Sequence, residues 1–206
     1  MLKQGFPSLG TRCFRLVNTL PLDNHRAMRL LLQLILVTYG VFAGWGAPAA
    51  SVAAVVTNGA AQIAVAFDEQ CEYLLLREVP KTKKEVLVAT YIITRPSIVE
   101  ALCHLAEHKV PVKLKFDERQ SDYAGMKKAL EKLRKAGVSC TAVKFRSSYA
   151  QMHDKFIVMD RQRVLTGSYN YTTTASKENY ENLVLIESPP IAEEFAHAFD
   201  RIHAKN

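Results

Sequence analysis

From Ile63 onward the chain alternates between two apolar periods. Short runs rich in β-branched residues read as strands over residues 63–67, 85–93, 110–117 and 138–145. Between them, apolar residues recur three or four apart, which is the spacing of one helix face. This predicts helices over 68–81, with Cys71, Leu74, Leu75 and Val79 on the inner face, over 96–109, and over 121–137. Ser121 is the expected cap of the last and Gly137 its stop. Farther on, 153–160 and 163–168 read as two strands joined by a turn at 160–162, and 181–188 as one more. Pro189 and Pro190 are expected to break the chain, and 191–205 to end it as an amphipathic helix. Strands alternating with helices predict an α/β fold, with a mixed, largely parallel β-sheet flanked by helices on both faces.

The N-terminal quarter has another pattern. No charged residue occurs from Leu30 to Phe67. Arg29 precedes an apolar block, and small residues follow as far as Ala47, Pro48 and Ala49. A basic start, an apolar stretch of ~7–15 residues and an A-x-A-like end describe a secretory signal peptide. Residues 1–49 are therefore expected to be a signal region, with Met28 as an alternative start, and 50–206 a single domain. The mature protein would be periplasmic or secreted. The alternative is an uncleaved N-terminal anchor, although Gly40, Gly44, Gly46 and Pro48 interrupt the ~20 apolar residues that a span needs.

Composition changes this picture little. A chain of 206 residues, 49% apolar, suits one domain with a proper core. Its 23% charged residues, near the globular average, argue against wholesale disorder. The formal charge is +7, but five of the 27 basic residues and one of the 20 acidic ones precede residue 50. The +3 left for the remainder is a weak pull on a polyanion. Cys13, Cys71, Cys103 and Cys140 form no C-x-x-C pair and no zinc-like spacing with histidine, so they read as small buried apolar residues.

The candidate chemistry lies in residues 151–172, QMHDKFIVMDRQRVLTGSYNYT. His153 and Lys155 are two apart, so a strand would project both to one face. Lys155 would then hold a cation beside the imidazole and make a seat for an anion. Ser168 and Asn170 offer a hydroxyl and an amide able to donate to phosphate oxygens. Glu181, opening the next strand, could supply a carboxylate that orients the imidazole. Each residue alone has an ordinary structural explanation. The joint spacing, H-x-K-x(4)-D, six residues, then G-S-x-N, sets them apart.

That pattern of His153, Lys155, Asp160, Gly167, Ser168 and Asn170, with Glu181 downstream, closely resembles the signature of the phospholipase D superfamily. One copy is present, as in the small bacterial endonucleases and mitochondrial-surface proteins of that superfamily. The resemblance implies a phospholipase D/nuclease-like fold and a homodimer in which two motifs meet at one site on the two-fold axis. It also implies a two-step displacement at a phosphodiester. His153 attacks phosphorus and forms a phosphohistidine, while His153 of the partner subunit protonates the leaving oxygen and then activates water. Lys155, Ser168 and Asn170 would hold the non-bridging oxygens, and Glu181 would pair with the histidine. Asp160 and Gly167 would be structural, Asp160 through a nearby basic residue. Two lysines neutralise phosphate charge, so neither a metal nor another cofactor is implied. Nucleic acid, DNA or RNA, is the expected substrate. Phospholipid is the alternative, and a non-catalytic polyanion-binding protein a remoter one. Arg146, Arg163 and Tyr169 are candidate substrate contacts, with Lys144, Arg161, Tyr149 and Tyr171 close in sequence.

Overall fold

Two strands, β2 (Val86–Thr90) and β5 (Lys155–Met159), are buried at every position, and they pair antiparallel near the middle of a seven-stranded sheet. The computed structural model describes residues 61–203, so the expected signal region lies outside the described residues. The other strands are β1 (Gln62–Phe67), β3 (Val112–Asp117), β4 (Ser139–Val143), β6 (Arg163–Gly167) and β7 (Asn182–Glu187), and the sheet order is β1-β7-β6-β5-β2-β3-β4.

Alternation along the central strands feeds two cores. Val86, Val88, Ile157 and Met159 face the side carrying α1 (Glu69–Glu78), α2 (Pro96–Glu107) and α3 (Ala124–Lys135). A short helix, α4 (Thr173–Lys177), adds Ala175 to that side. Leu87, Ala89, Phe156 and Val158 face the opposite side, where α5 (Pro189–Arg201) covers them with Ala192, Ala196 and Phe199. Helices thus lie on both faces, as the sequence predicts. Cys71 and Cys103 are buried on α1 and α2 as expected, and both are free thiols.

The sheet is mixed, but its parallel part is smaller than the alternation implied. Only β2, β3 and β4 run parallel, and the other four neighbouring pairs are antiparallel. Parallel neighbours need a crossover, usually a helix. Here α2 and α3 supply the two crossovers, whereas a three-residue turn joins β5 to β6 and forces them antiparallel.

Two helix starts and one additional helix differ from expectation for local reasons. A 3-10 turn at Glu118–Gln120 stands ahead of α3, so the helix starts at Ala124 rather than at Ser121. Asp117 seeds that turn by accepting from the Arg119 amide at 3.0 Å. Pro189 and Pro190 open α5 instead of breaking the chain before it, because a first-turn residue has no intrahelical partner for its N–H. The helix α4 was not foreseen; Thr172 caps it by accepting from the Ala175 amide. Gly137 does stop α3, with φ of 97° beyond the last helical residues.

A buried carboxylate ties α1 to the sheet. Glu78, 3% exposed, accepts from Arg77 at 2.7 Å, Lys81 at 3.0 Å and Arg163 at 2.8 Å. Burial raises its pKa, but the hydrogen bonds from Lys81 and Arg77 outweigh this and hold the carboxyl below its ordinary 4.5. The stability it contributes is present above pH 4.5 and is lost as pH falls through the lowered folded value. Glu78→Gln is expected to cost about 2 kcal/mol at neutral pH. Urea unfolding at pH 7 and pH 3 checks this, since the difference from wild type should shrink in acid.

Candidate active site

Strand register brings one border of the sheet together. Thr90 pairs with both Lys155 and Phe116, Gly167 with Leu183, and Phe67 with Asn182. The C-terminal ends of β2, β3 and β6 therefore lie beside the starts of β5 and β7. His153, Lys155, Ser168, Asn170 and Glu181 all fall at or just beyond this border.

His153 is not on a strand, as the sequence implied, because β5 begins at Lys155. Its side chain is exposed, whereas Lys155 is only 9% exposed. The lysine folds back on the preceding segment instead. Its Nζ lies 3.3 Å from both ring nitrogens of His153 and donates to the His153 carbonyl oxygen at 2.9 Å. Burial holds the Lys155 ammonium below the ordinary lysine range, and the carboxylates of Glu181 and Asp154 partly offset this. A desolvated cation beside an exposed imidazole makes a strong local seat for an anion.

The next shelf of the site is built by the β6–β7 ends. Ser168 Oγ donates to Glu181 Oε2 and accepts from the Asn182 amide at 3.1 Å. Glu181 also accepts from Asn179 Nδ2 at 3.1 Å, and its own amide donates to Asp68 at 3.1 Å. Within one chain the Glu181 carboxylate is thus held by Ser168 and Asn179, not by His153 as expected. Asn170 Oδ1 is buried with no hydrogen-bond partner among the described residues.

A family model described as "Cardiolipin synthase, PLD-like domain" matches residues 75–203. The chain belongs to the phospholipase D superfamily. Nuc from Salmonella typhimurium, a phospholipase D family member, aligns with a TM-score of 0.65 and 27% identity over 69% of this chain and 94% of its own. A phospholipase D from Rickettsia typhi is 27% identical over 125 residues, covering 61% of this chain and 59% of that protein. A mitochondrial cardiolipin hydrolase from Xenopus laevis is 32% identical over 129 residues, 62% of this chain and 59% of that one. The chain therefore spans somewhat under two thirds of the length of these curated relatives.

Some residues of the phospholipase D motif, and some of the expected substrate contacts, sit away from the border. Asp160 follows β5 at its far end, with φ of 56°. It accepts from the backbone amides of Lys83, Lys84 and Glu85, at 3.0, 2.6 and 3.1 Å, and not from a basic side chain as expected. Its role is to bind the turn before β2 to the β5–β6 turn. Asp160→Ala removes three acceptor contacts at a left-handed position and should lower stability by about 2 kcal/mol, with Asp160→Asn milder; chemical denaturation checks both.

Arg163 lies at the same far end, paired to Glu78, so it is not a substrate contact at this border. Tyr169 is 0% exposed, and its hydroxyl shares a hydrogen bond of 2.5 Å with Ser176. Burial pushes its pKa up to about 12, and its ring packs edge-on against the equally buried Tyr171. Neither ring is available to a base. Arg146 does stand exposed on the segment between β4 and His153, near Tyr149, which is 93% exposed.

Sequence reasoning missed Tyr91, Asp117 and Arg119. Tyr91 packs its ring against the imidazole, centroids 5.2 Å apart and planes tilted by 59°. Nothing in the periodicity shows that the ends of β2 and β3 converge on residue 153.

Proposed function

We propose that the chain is a phosphodiesterase, and specifically a nuclease that works through a phosphohistidine without a metal ion. The observation that carries this reading is the Lys155 ammonium held 3.3 Å from both ring nitrogens of an exposed His153. A ring nitrogen of His153 attacks phosphorus, the bond to the leaving oxygen breaks, and that oxygen takes a proton from His153 of the partner subunit. Water then attacks phosphorus, gives its proton to the same partner imidazole, and breaks the N–P bond. Lys155, Ser168 and Asn170 stabilise the non-bridging oxygens. The shared site makes the active form a homodimer. The uncharged N-terminal run supports export to the periplasm or medium.

Nucleic acid ranks first as substrate for two reasons. Arg146 and Tyr149 are exposed on the segment leading to His153, and a cation beside a free ring suits a backbone phosphate and a base. The chain also spans 94% of Nuc but 59% of the Rickettsia phospholipase D. Phospholipid is the second reading. It is favoured by the names of the curated relatives and by an exposed apolar face on β1, where Ile63, Val65 and Phe67 are 62%, 52% and 59% exposed.

The test sets DNA, RNA and phospholipid vesicles side by side in excess EDTA. Cleavage of nucleic acid that persists in chelator is the expected result. A requirement for added metal overturns the mechanism, and turnover of phospholipid alone promotes the second reading.

A further inference from the structure

An exposed histidine outside regular structure needs its backbone held by other means. A nucleophile must sit within a few tenths of an ångström of its attack position, and a misplacement of ~1 Å costs on the order of 100-fold in rate. His153 stands ahead of β5 on a segment, residues 144–154, that forms no helix and no named strand. Lys155 restrains that segment from the C-terminal side, through the His153 carbonyl.

The other restraint comes from the end of β3. Asp117 is 1% exposed and accepts from the Met152 amide at 2.9 Å, one residue before His153. The same carboxylate accepts from Arg119 Nε at 3.1 Å and Nη2 at 3.3 Å. Oriented in this way, the guanidinium donates to two carbonyls of the segment, Ser148 at 2.6 Å and Ala150 at 2.5 Å. The segment is therefore pinned at residues 148, 150 and 152 by one ion pair. The 3-10 turn that carries Arg119 also carries Gln120, whose Nε2 donates to the Tyr91 hydroxyl at 2.7 Å. Tyr91 is the ring that lies against the imidazole. A single turn thus restrains both the backbone and the side chain of His153.

We infer that Asp117 and Arg119 are positioning residues: they present His153 to the phosphorus without touching the substrate themselves. Five planar N–H donors let one guanidinium meet a carboxylate and two carbonyls at once, which a lysine ammonium on a flexible stem does not reproduce. The inference rests on the phosphodiesterase reading above and adds to it a role for a turn that carries no motif residue.

The experiment uses the full chain and bis(p-nitrophenyl) phosphate, a phosphodiester with no base or lipid to bind. Wild type is compared with Arg119→Ala, Arg119→Lys and Lys132→Ala, the last removing an exposed charge on α3. Arg119→Ala is expected to lower kcat about 10- to 100-fold with KM changed less than about threefold, Arg119→Lys to recover part of the loss, and Lys132→Ala to match wild type. Hydrogen exchange at the Met152 amide should quicken in Arg119→Ala. Unchanged kcat, or a rise in KM alone, overturns the inference. If Arg119→Ala does not fold, Arg119→Lys decides by the same criteria. A wild-type protein that hydrolyses no phosphodiester removes the functional reading, and Met152 exchange then tests the backbone restraint by itself: exchange as slow as in wild type overturns it.

Discussion

Replacing His153 with alanine will abolish phosphodiester cleavage while leaving the fold intact. The imidazole is exposed, and the side-chain neighbours found for it are the Lys155 ammonium and the Tyr91 ring. Truncation opens no buried cavity, and Lys155 keeps the His153 carbonyl as acceptor. Stability should stay within about 0.5 kcal/mol of wild type, as for surface substitutions generally. Activity should fall by at least about 10,000-fold, because removing a covalent nucleophile leaves only binding and oxyanion stabilisation. The proposed shared site sharpens the prediction. When wild type and His153→Ala are unfolded, mixed in equal amounts and refolded, random pairing leaves about one quarter of the dimers with two imidazoles. Residual activity near that fraction supports one histidine from each subunit. Residual activity near one half means that each subunit works alone, and the two-subunit mechanism is then wrong.

Gly167→Ala will unfold the border on which Ser168 and Asn170 stand. A Cβ on Gly167 would lie 2.2 Å from the Asn182 carbonyl oxygen and 2.9 Å from its carbon. Both are backbone atoms of the paired strand, so no side-chain rotation relieves the clash. Gly167 pairs with Leu183, and the next rung is the Ser168 amide donating to that same Asn182 carbonyl at 3.2 Å. Separating β6 from β7 breaks this bond and the one from the Asn182 amide to Ser168 Oγ. The expected loss is about 2–4 kcal/mol, with activity reduced in the fraction that still folds. Thermal melting and specific activity of the soluble protein check it, and a variant that melts like wild type would falsify the account of this close approach.

Where sequence reasoning succeeded, the information was local. The spacing of Cys71, Leu74 and Leu75 set the buried face of α1, and all three are buried. Gly137 reads as a stop because glycine adopts a positive φ at little cost, and the structure gives it a φ of 97°. The motif singled out His153 and Lys155, and they are in contact. Where it failed, the deciding contact was remote in sequence. Arg163 and Tyr169 look like ligand contacts because they lie among the motif residues. Glu78, on a different element, claims the first, and Ser176 and Tyr171 hold the second in the core. Asp160 was expected to meet a basic side chain, but the amides of residues 83–85 reach it first.

Residues close along the chain, read for period and turn chemistry, determined most of the elements and the two-sided burial of the sheet, and the motif singled out the candidate pair, His153 and Lys155. Tertiary structure alone decided what surrounds that pair. Tyr91 comes from the end of β2, Asp117 and Arg119 from the end of β3, and the Glu181 carboxylate turns to Ser168 rather than to His153. Periodicity reports which way a side chain points. Which strand ends stand next to one another depends on strand order and register, and those are set by packing energies summed over the whole sheet.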